Sequence, residues 1–526
     1  MRLGRGPQAG WHFEGIGPAL LPERRAMHAP PADTAALPPQ QSGTPDRAGP
    51  QPAAGPPAGG RGGPPPLWMW ALVSGLFLVY ATLSLRTHER LLSHSFDLAI
   101  FEQAVRSYAE GRLPVSEVKG PGFPVLGDHF SPVLALLAPA HLLFPSARTL
   151  LLAQAALVAA SVLPLALWAR RALGGAAAAV IGLAYGLSWG VANAVGFDFH
   201  EWAFAVPLLA CSLAALGQDR LRAAALWALP LLLVKEDMGG TVAVIGLLIA
   251  WRGGPGRRRL GLATAAAGAA WTLLAVLVVL PALNPGGSYF YAGFLGGSGG
   301  AGGGFGALLH KATLGLVTPE EKAVTLVLLL APTLFLALRS PLLLVAVPTL
   351  LWRGLSDYAP HWGTGYHYSL TAMPVVFAAF VHALERRGTS GAGLNRALAG
   401  AAGVCLLLVP GSSLGKLADP ETWRADPRIA AAHRMMARIP DGARVQASDG
   451  LVPHLANRTS ASLYGWAASR PDPEWILVDT QVAPHLRWPL SAREEALALA
   501  RARAAGYRTV AAEQGFVLLG RTSRTG

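Results

Sequence analysis

The sequence predicts an α-helical polytopic membrane protein. It would have about eleven transmembrane helices, two juxtamembrane helices in the first outer loop, and a small C-terminal α/β domain. Three observations support this. The chain is 52% hydrophobic and 14% charged, a balance typical of helices whose core faces lipid. Apolar runs approaching the ~20 residues that span a bilayer recur from Leu67 to residue 411. From Ser412 onward the composition turns polar, with alternating helical and extended patterns. The net charge of +13 raises the question of nucleic acid. No basic-aromatic stripe accompanies it, so that class is set aside. Cys211 and Cys405 both lie in apolar runs, which argues against a disulfide framework, and no CxxC motif occurs.

Residues 1–66 are rich in Pro, Gly and Ala and have no apolar face. They are expected to be a disordered cytoplasmic tail, uncleaved because no charged n-region leads into an apolar h-region. Leu67–Leu85 is the first span. The stretch Ser95–Pro132 (SFDLAIFEQAVRSYAEGRLPVSEVKGPGFPVLGDHFSP) follows it. Within it, Leu98, Phe101, Val105 and Tyr108 share a helical face, which predicts an interfacial amphipathic helix opening near Asp97. Phe130–Phe144 is apolar but only 15 residues long and carries Pro132 and Pro139. It reads as a second juxtamembrane or partly embedded helix.

Charge bookkeeping tests that reading. If Phe130–Phe144 does not cross, the remaining spans fall near 147–169, 173–192, 201–217, 222–235, 238–251, 260–281, 322–338, 341–354, 367–384 and 396–411. Twelve arginines (170, 171, 220, 222, 252, 257–259, 339, 386, 387 and 396) then occupy five short cytoplasmic loops. If it crosses, all twelve move outside. The positive-inside rule selects the first arrangement. In that arrangement Asp97, Asp128-His129, the FDFHEW loop, Lys235-Glu236-Asp237 and Asp357–Tyr368 all face outward, as does the C-terminal domain. Pro281–Glu321 becomes a glycine-rich outer loop, either a linker or a lid.

Ionisable residues at a membrane edge are costly and therefore candidates for function. Asp97 is either a helix-starting carboxylate or a general base or metal ligand, its pKa raised by desolvation. Asp128-His129 is either a polar turn or a phosphate or metal site. In FDFHEW (Phe197–Trp202), Asp198 and His200 would face together on an extended loop. There they could hold a divalent cation, Mg2+ or Mn2+. The alternative is an aromatic interface loop. Lys235 suits a phosphate as a point charge, with Glu236 or Asp237 neutralising it when no ligand is bound; an internal ion pair at a tight turn is the rival. Asp357–Tyr368 brings His361, His367 and Tyr368 among aromatic residues, either as an interface belt or as a surface for stacking a sugar. No GxSxG, Walker A or HExxH motif is present.

SFDLAIFEQAV, GDHFSPVLALLAPAHLLFP, FDFHEWAF, LLLVKEDMG, YHYSLTAMPVVFAA and the later IPDGARVQASDGLVPHLANR together resemble a bacterial family of multispanning proteins. That family is catalogued as domain of unknown function 2079, and the resemblance covers roughly residues 90–480. More distantly, the layout is similar to membrane glycosyltransferases of the GT-C type. Those have a large first outer loop with two juxtamembrane helices, an acidic residue near the first helix, and polyprenyl-phosphate sugar donors. Their common adjacent acidic pair is missing here. The resemblance implies a GT-C-like enzyme of the bacterial plasma membrane. It would move a sugar from a polyprenyl-phosphate donor to a cell-envelope or lipid acceptor at the outer face. Asp97 would be the base, Lys235 and the cation would steady the phosphate, and His129 and His367 would orient the substrates. The alternatives are a transporter or lipid flippase without covalent chemistry, and a non-catalytic envelope scaffold.

Overall fold

A computed structural model describes residues 64–294 and 310–521. The expected tail up to residue 63 and the glycine-rich core of the 281–321 loop (295–309) lie outside the described residues. The apolar runs fold as helices with bounds close to those expected. Five are long and apolar enough to cross a membrane: Leu67–Glu89, Ala147–Leu173, Pro255–Leu283, His367–Arg386 and Gly391–Leu408. Gly175–Gly186 and Trp189–Phe197 pass the same test together as a span bent by 43°. Trp202–Gly217, Leu221–Leu233, Met238–Trp251 and Pro341–Leu355 are shorter apolar helices. Glu320–Leu330 continues through 3₁₀ turns to Arg339.

The second loop helix is short, as expected. Pro132–Leu143 would reach about 18 Å as a helix, too short for a ~30 Å hydrocarbon layer. Leu136, Leu142, Leu143 and Phe144 are exposed along it. The first loop helix differs from expectation. Ser95–Ala99 forms a π-helical turn that runs into Ile100–Ala109. Phe101, Glu102, Gln103, Ala104 and Val105 are all buried, so the helix is enclosed and does not lie on a surface. The cause is the C-terminal region. Gln103 Nε2 donates to Ala461 O at 2.7 Å, and Arg106 Nη1 donates to Ala456 O and Thr459 O at 2.8 and 3.0 Å. On another side, Glu102 meets His141 of the second helix at 2.9 Å.

The remaining loop forms a small hairpin, β1 (Val115–Ser116) and β2 (Phe123–Pro124). The C-terminal region builds a mixed five-stranded sheet from β3 (Arg444–Ala447), β4 (Ser460–Leu463), β5 (Trp475–Asp479), β6 (Tyr507–Glu513) and β7 (Phe516–Arg521). Their order is β4-β3-β5-β7-β6. Strand β3 runs parallel to β4 and β5, whereas β7 is antiparallel to β5 and β6. Helix Ala492–Ala504 opens with a full capping box from Ser491 and Glu494. The described residues from Pro65 onward form one compact unit, and its main apolar core runs from the membrane helices through Leu98 and Val105 to Val445 and Leu477.

Helix direction separates two ends of the bundle. Trp202–Gly217 begins beside the FDFHEW residues and ends near Asp219. Met238–Trp251 begins after Asp237 and ends at Arg252. Arg252 and Arg257 pair with Asp219, and Arg171 donates to Gln218. The arginine loops thus share one end, and the acidic and histidine motifs share the other.

Candidate active site

The site is built where Phe197–Glu201 crosses the start of the first loop. Asp198 is fully extended (φ −154°, ψ −176°). Alternation along an extended chain sends Asp198 and His200 to the same side. There they meet two residues of the preceding loop. Asp198 Oδ2 accepts from His94 at both Nδ1 (2.8 Å) and the backbone N–H (2.9 Å). His200 Nε2 lies 2.9 Å from Asp97 Oδ1. The crossing is locked by Gln154, which donates to Asp198 O (2.7 Å) and accepts from His200 N–H (3.0 Å). His200 in turn stacks on His367, with ring centroids 3.3 Å apart, and Tyr368 lies beside His367 at 4.1 Å.

A second group adjoins the first. Lys235 Nζ donates to Glu201 Oε1 at 2.8 Å and sits 5.1 Å from the Trp202 ring centroid. The direct partner of Lys235 is therefore Glu201; Glu236 and Asp237 act on it at longer range. Glu236 is instead held by His129 Nδ1 (2.8 Å), the Phe130 N–H (3.1 Å) and the Tyr289 hydroxyl (3.1 Å). Tyr291 stacks on His129 at 4.3 Å. Asp128 pairs with Lys119 at 3.1 Å. His361 binds Ser356 Oγ at 2.7 Å within a cluster of Trp352, Tyr358 and Tyr368, at the edge of the group.

The electrostatics distinguish the carboxylates. Burial by itself would raise the Asp97 pKa, but His200, with His94 and Lys235, outweighs it and holds the group below its usual range. The expected rise is thus reversed, because the desolvating walls around Asp97 carry imidazoles. Asp97 also keeps 25% of its side chain accessible, whereas Asp198, Glu201 and Glu236 keep 1% or less. Burial lowers His94, but the Asp198 hydrogen bond and charge raise it further, to about 9, so it is a cation at neutral pH.

A cation held by Asp198 and His200 does not fit this arrangement. Asp198 Oδ2 and His200 Nε2 are engaged by His94 and Asp97. Asp198 Oδ1 and His200 Nδ1 are buried without a protein partner. Yet no group of three or more His, Cys, Asp or Glu among the described residues is arranged to hold an ion.

His94, Tyr289, Arg353 and Asp449 also reach this site, through Asp198, Glu236, Tyr368 and Ser95, from outside the five ionisable motifs. Arg353 had a signal: it is an arginine inside an apolar run, and it is buried, donating to His361 O, Tyr368 O and Ser369 Oγ. His94 lies three residues before Asp97, so its nearness to Asp97 was legible. Nothing local marks Asp449 or Tyr289.

The model of the family described as "Predicted membrane protein (DUF2079)" matches residues 87–518. The chain belongs to the DUF2079 family. No curated protein matches the sequence. Among solved structures, ArnT from Cupriavidus metallidurans bound to undecaprenyl phosphate superposes with a TM-score of 0.52 at 15% identity. The match covers 87% of this chain and 98% of that one. The apo form of the same ArnT gives 0.50 at 14% identity over the same shares. At that identity the likeness shows the fold alone: this DUF2079 protein shares the fold of the ArnT structures, with a small sheet region at its C-terminal end.

Proposed function

We propose that the protein is a GT-C-type glycosyltransferase that takes a sugar from a polyprenyl-phosphate donor and passes it to a cell-envelope or lipid acceptor at the outer face. The observation that carries this reading is the gathering of Asp97, His200, His367, Lys235 and Glu236 at one end of a GT-C bundle, with Asp97 the accessible carboxylate among buried ones. The ArnT structure that shares the fold holds undecaprenyl phosphate, which supports a lipid phosphate as the donor's carrier. A transporter would place its polar groups near the bilayer midplane; here they sit where several helices begin.

In this mechanism the acceptor hydroxyl attacks the anomeric carbon as the carbon–oxygen bond to phosphate breaks. The proton passes from the hydroxyl to Asp97, and polyprenyl phosphate leaves. A carboxylate of low pKa suffices because the attacking oxygen becomes strongly acidic only as its bond to carbon forms. Lys235 balances charge growing on the departing phosphate, exchanging part of its interaction with Glu201. His129, held by Glu236, and His367, stacked on His200, orient donor and acceptor, with Tyr368 and His361 lining the approach.

The test uses full-length protein in nanodiscs with undecaprenyl-phosphate mannose or arabinose, radiolabelled in the sugar, and a cell-envelope extract as acceptor. Asp97→Asn is expected to lower transfer by about 10²-fold or more with an unchanged melting temperature. Full activity in that variant would remove Asp97 as the base. Failure of the wild type to release undecaprenyl phosphate from either donor would count against transfer from those sugars.

A further inference from the structure

Asp449 plays no part in the chemistry above, yet it touches the loop that performs it. It follows β3, and its turn is anchored to β5: the Ser448 N–H donates to Leu477 O at 3.0 Å, and Ser448 Oγ accepts from the Asp479 N–H at 2.9 Å. From that turn, Asp449 Oδ1 accepts from both the backbone N–H and the hydroxyl of Ser95, at 2.8 and 2.5 Å. Ser95 is fully buried and is the first residue of the π-helical turn that carries Asp97.

The first N–H groups of a helix have no partner within it and must be capped. At this helix the residue before the turn, His94, provides no side-chain cap; its ring and N–H are committed to Asp198. The cap comes instead from a carboxylate 354 residues away in sequence, a group favoured at a helix N-terminus. A close backbone approach fixes its place. A Cβ on Gly450 would lie 2.3 Å from the carbonyl oxygen of Leu91, so this turn can sit against the end of the first helix only with glycine there.

We infer that Asp449 is a positioning residue: it caps the Ser95–Ala99 turn from the C-terminal sheet and so sets where the Asp97 carboxylate stands against His200. The catalytic consequence rests on the transferase reading; the cap does not.

Two measurements on the full-length protein in nanodiscs test this. In hydrogen exchange, Asp449→Ala should raise exchange across Ser95–Ile100 by about tenfold or more, as expected when a buried donor loses a charged acceptor. Asp449→Asn keeps an oxygen acceptor and should restore most of the protection. Ser95→Ala combined with Asp449→Ala should be no worse than Asp449→Ala alone. In transfer from undecaprenyl-phosphate mannose, Asp449→Ala should lower kcat about tenfold with KM for the donor unchanged, and Asp449→Asn should recover it. Unchanged exchange in Asp449→Ala overturns the cap, as do additive effects of the two alanine variants. Asp449→Asn as damaging as Asp449→Ala also overturns it, since charge and not capping would then be what matters. Increased exchange together with a wild type that transfers nothing leaves the cap standing and counts against the transferase reading.

Discussion

At Asp97, burial is opposed by His200, His94 and Lys235, and these neighbours win. The same competition makes His94 a pH-dependent strut. Its folded pKa of about 9 stands above the ordinary 6.5 because Asp198, with Asp449 and Asp97, overcomes burial. A raised pKa means that the contribution to stability is fully present below pH 6.5 and is lost as pH rises through about 9. Thermal unfolding followed from pH 6 to 9.5 should show that decline, and Asp198→Asn should flatten it. A slope unchanged in the variant would assign the decline to another group. The Lys235–Glu201 pair behaves differently, since both partners are nearly enclosed. Lys235→Met leaves a buried carboxylate alone and should cost ~3–5 kcal/mol, whereas Lys235→Met with Glu201→Leu should cost much less. Melting temperatures of the single and double variants decide this; a double variant at least as unstable as the single would count against the ion-pair account.

Among the elements, the hairpin of Met238–Trp251 and Pro255–Leu274 shows how the helices carry the site. Its two helices meet backbone to backbone. A Cβ on Gly246 would lie 2.3 Å from Ala265 N, and one on Gly261 would lie 2.3 Å from Ala250 N. Small residues allow such approach where no hydrophobic drive joins helices in lipid. The seam matters for function because Thr272 Oγ1 donates to Glu236 O at 3.0 Å, tying the Lys235–Asp237 turn to the second helix. Gly246→Leu should therefore force the helices apart, costing more than the ~1–3 kcal/mol of ordinary overpacking. It should also lower transfer activity despite its distance from the site. Wild-type activity and melting temperature in Gly246→Leu would show that the seam can yield. The enclosed loop helix carries a second lesson. The apolar face of Leu98, Phe101 and Val105 was legible, but Gln103 and Arg106 on its other faces are claimed by the C-terminal region. Periodicity reports which residues seek cover, not what covers them.

For the whole molecule, the first loop and the C-terminal region form one body. Arg470 grips Glu117 through two bonds of 2.9 and 3.0 Å, and Arg86 donates to Thr422 O at 2.6 Å. With the arginine loops at the opposite end, the proposed orientation places both parts outside the cell. In a background free of Cys211 and Cys405, Ala467→Cys should react with a membrane-impermeant maleimide in intact spheroplasts. Arg258→Cys should react only after lysis. The reverse pattern would invert the proposed topology.

The helical bundle, the short second loop helix and the gathering of polar motifs at one end were determined by the sequence alone. Each follows from a local or additive property: apolar run length against bilayer thickness, or the sum of arginines per loop. In the C-terminal region, short apolar runs mark the strands Trp475–Asp479 and Phe516–Arg521, whereas Ser460–Leu463 and Tyr507–Glu513 carry no clear apolar pattern. Pairings were decided only by the tertiary structure. FDFHEW announced that Asp198 and His200 face one way, but not that His94 and Asp97 would meet them. VKEDMG announced a lysine among carboxylates, but Glu201 from the FDFHEW loop became its partner. Asp449 reaches Ser95 across most of the chain. Such contacts depend on where separate elements come to rest, and in one sequence no local pattern records that.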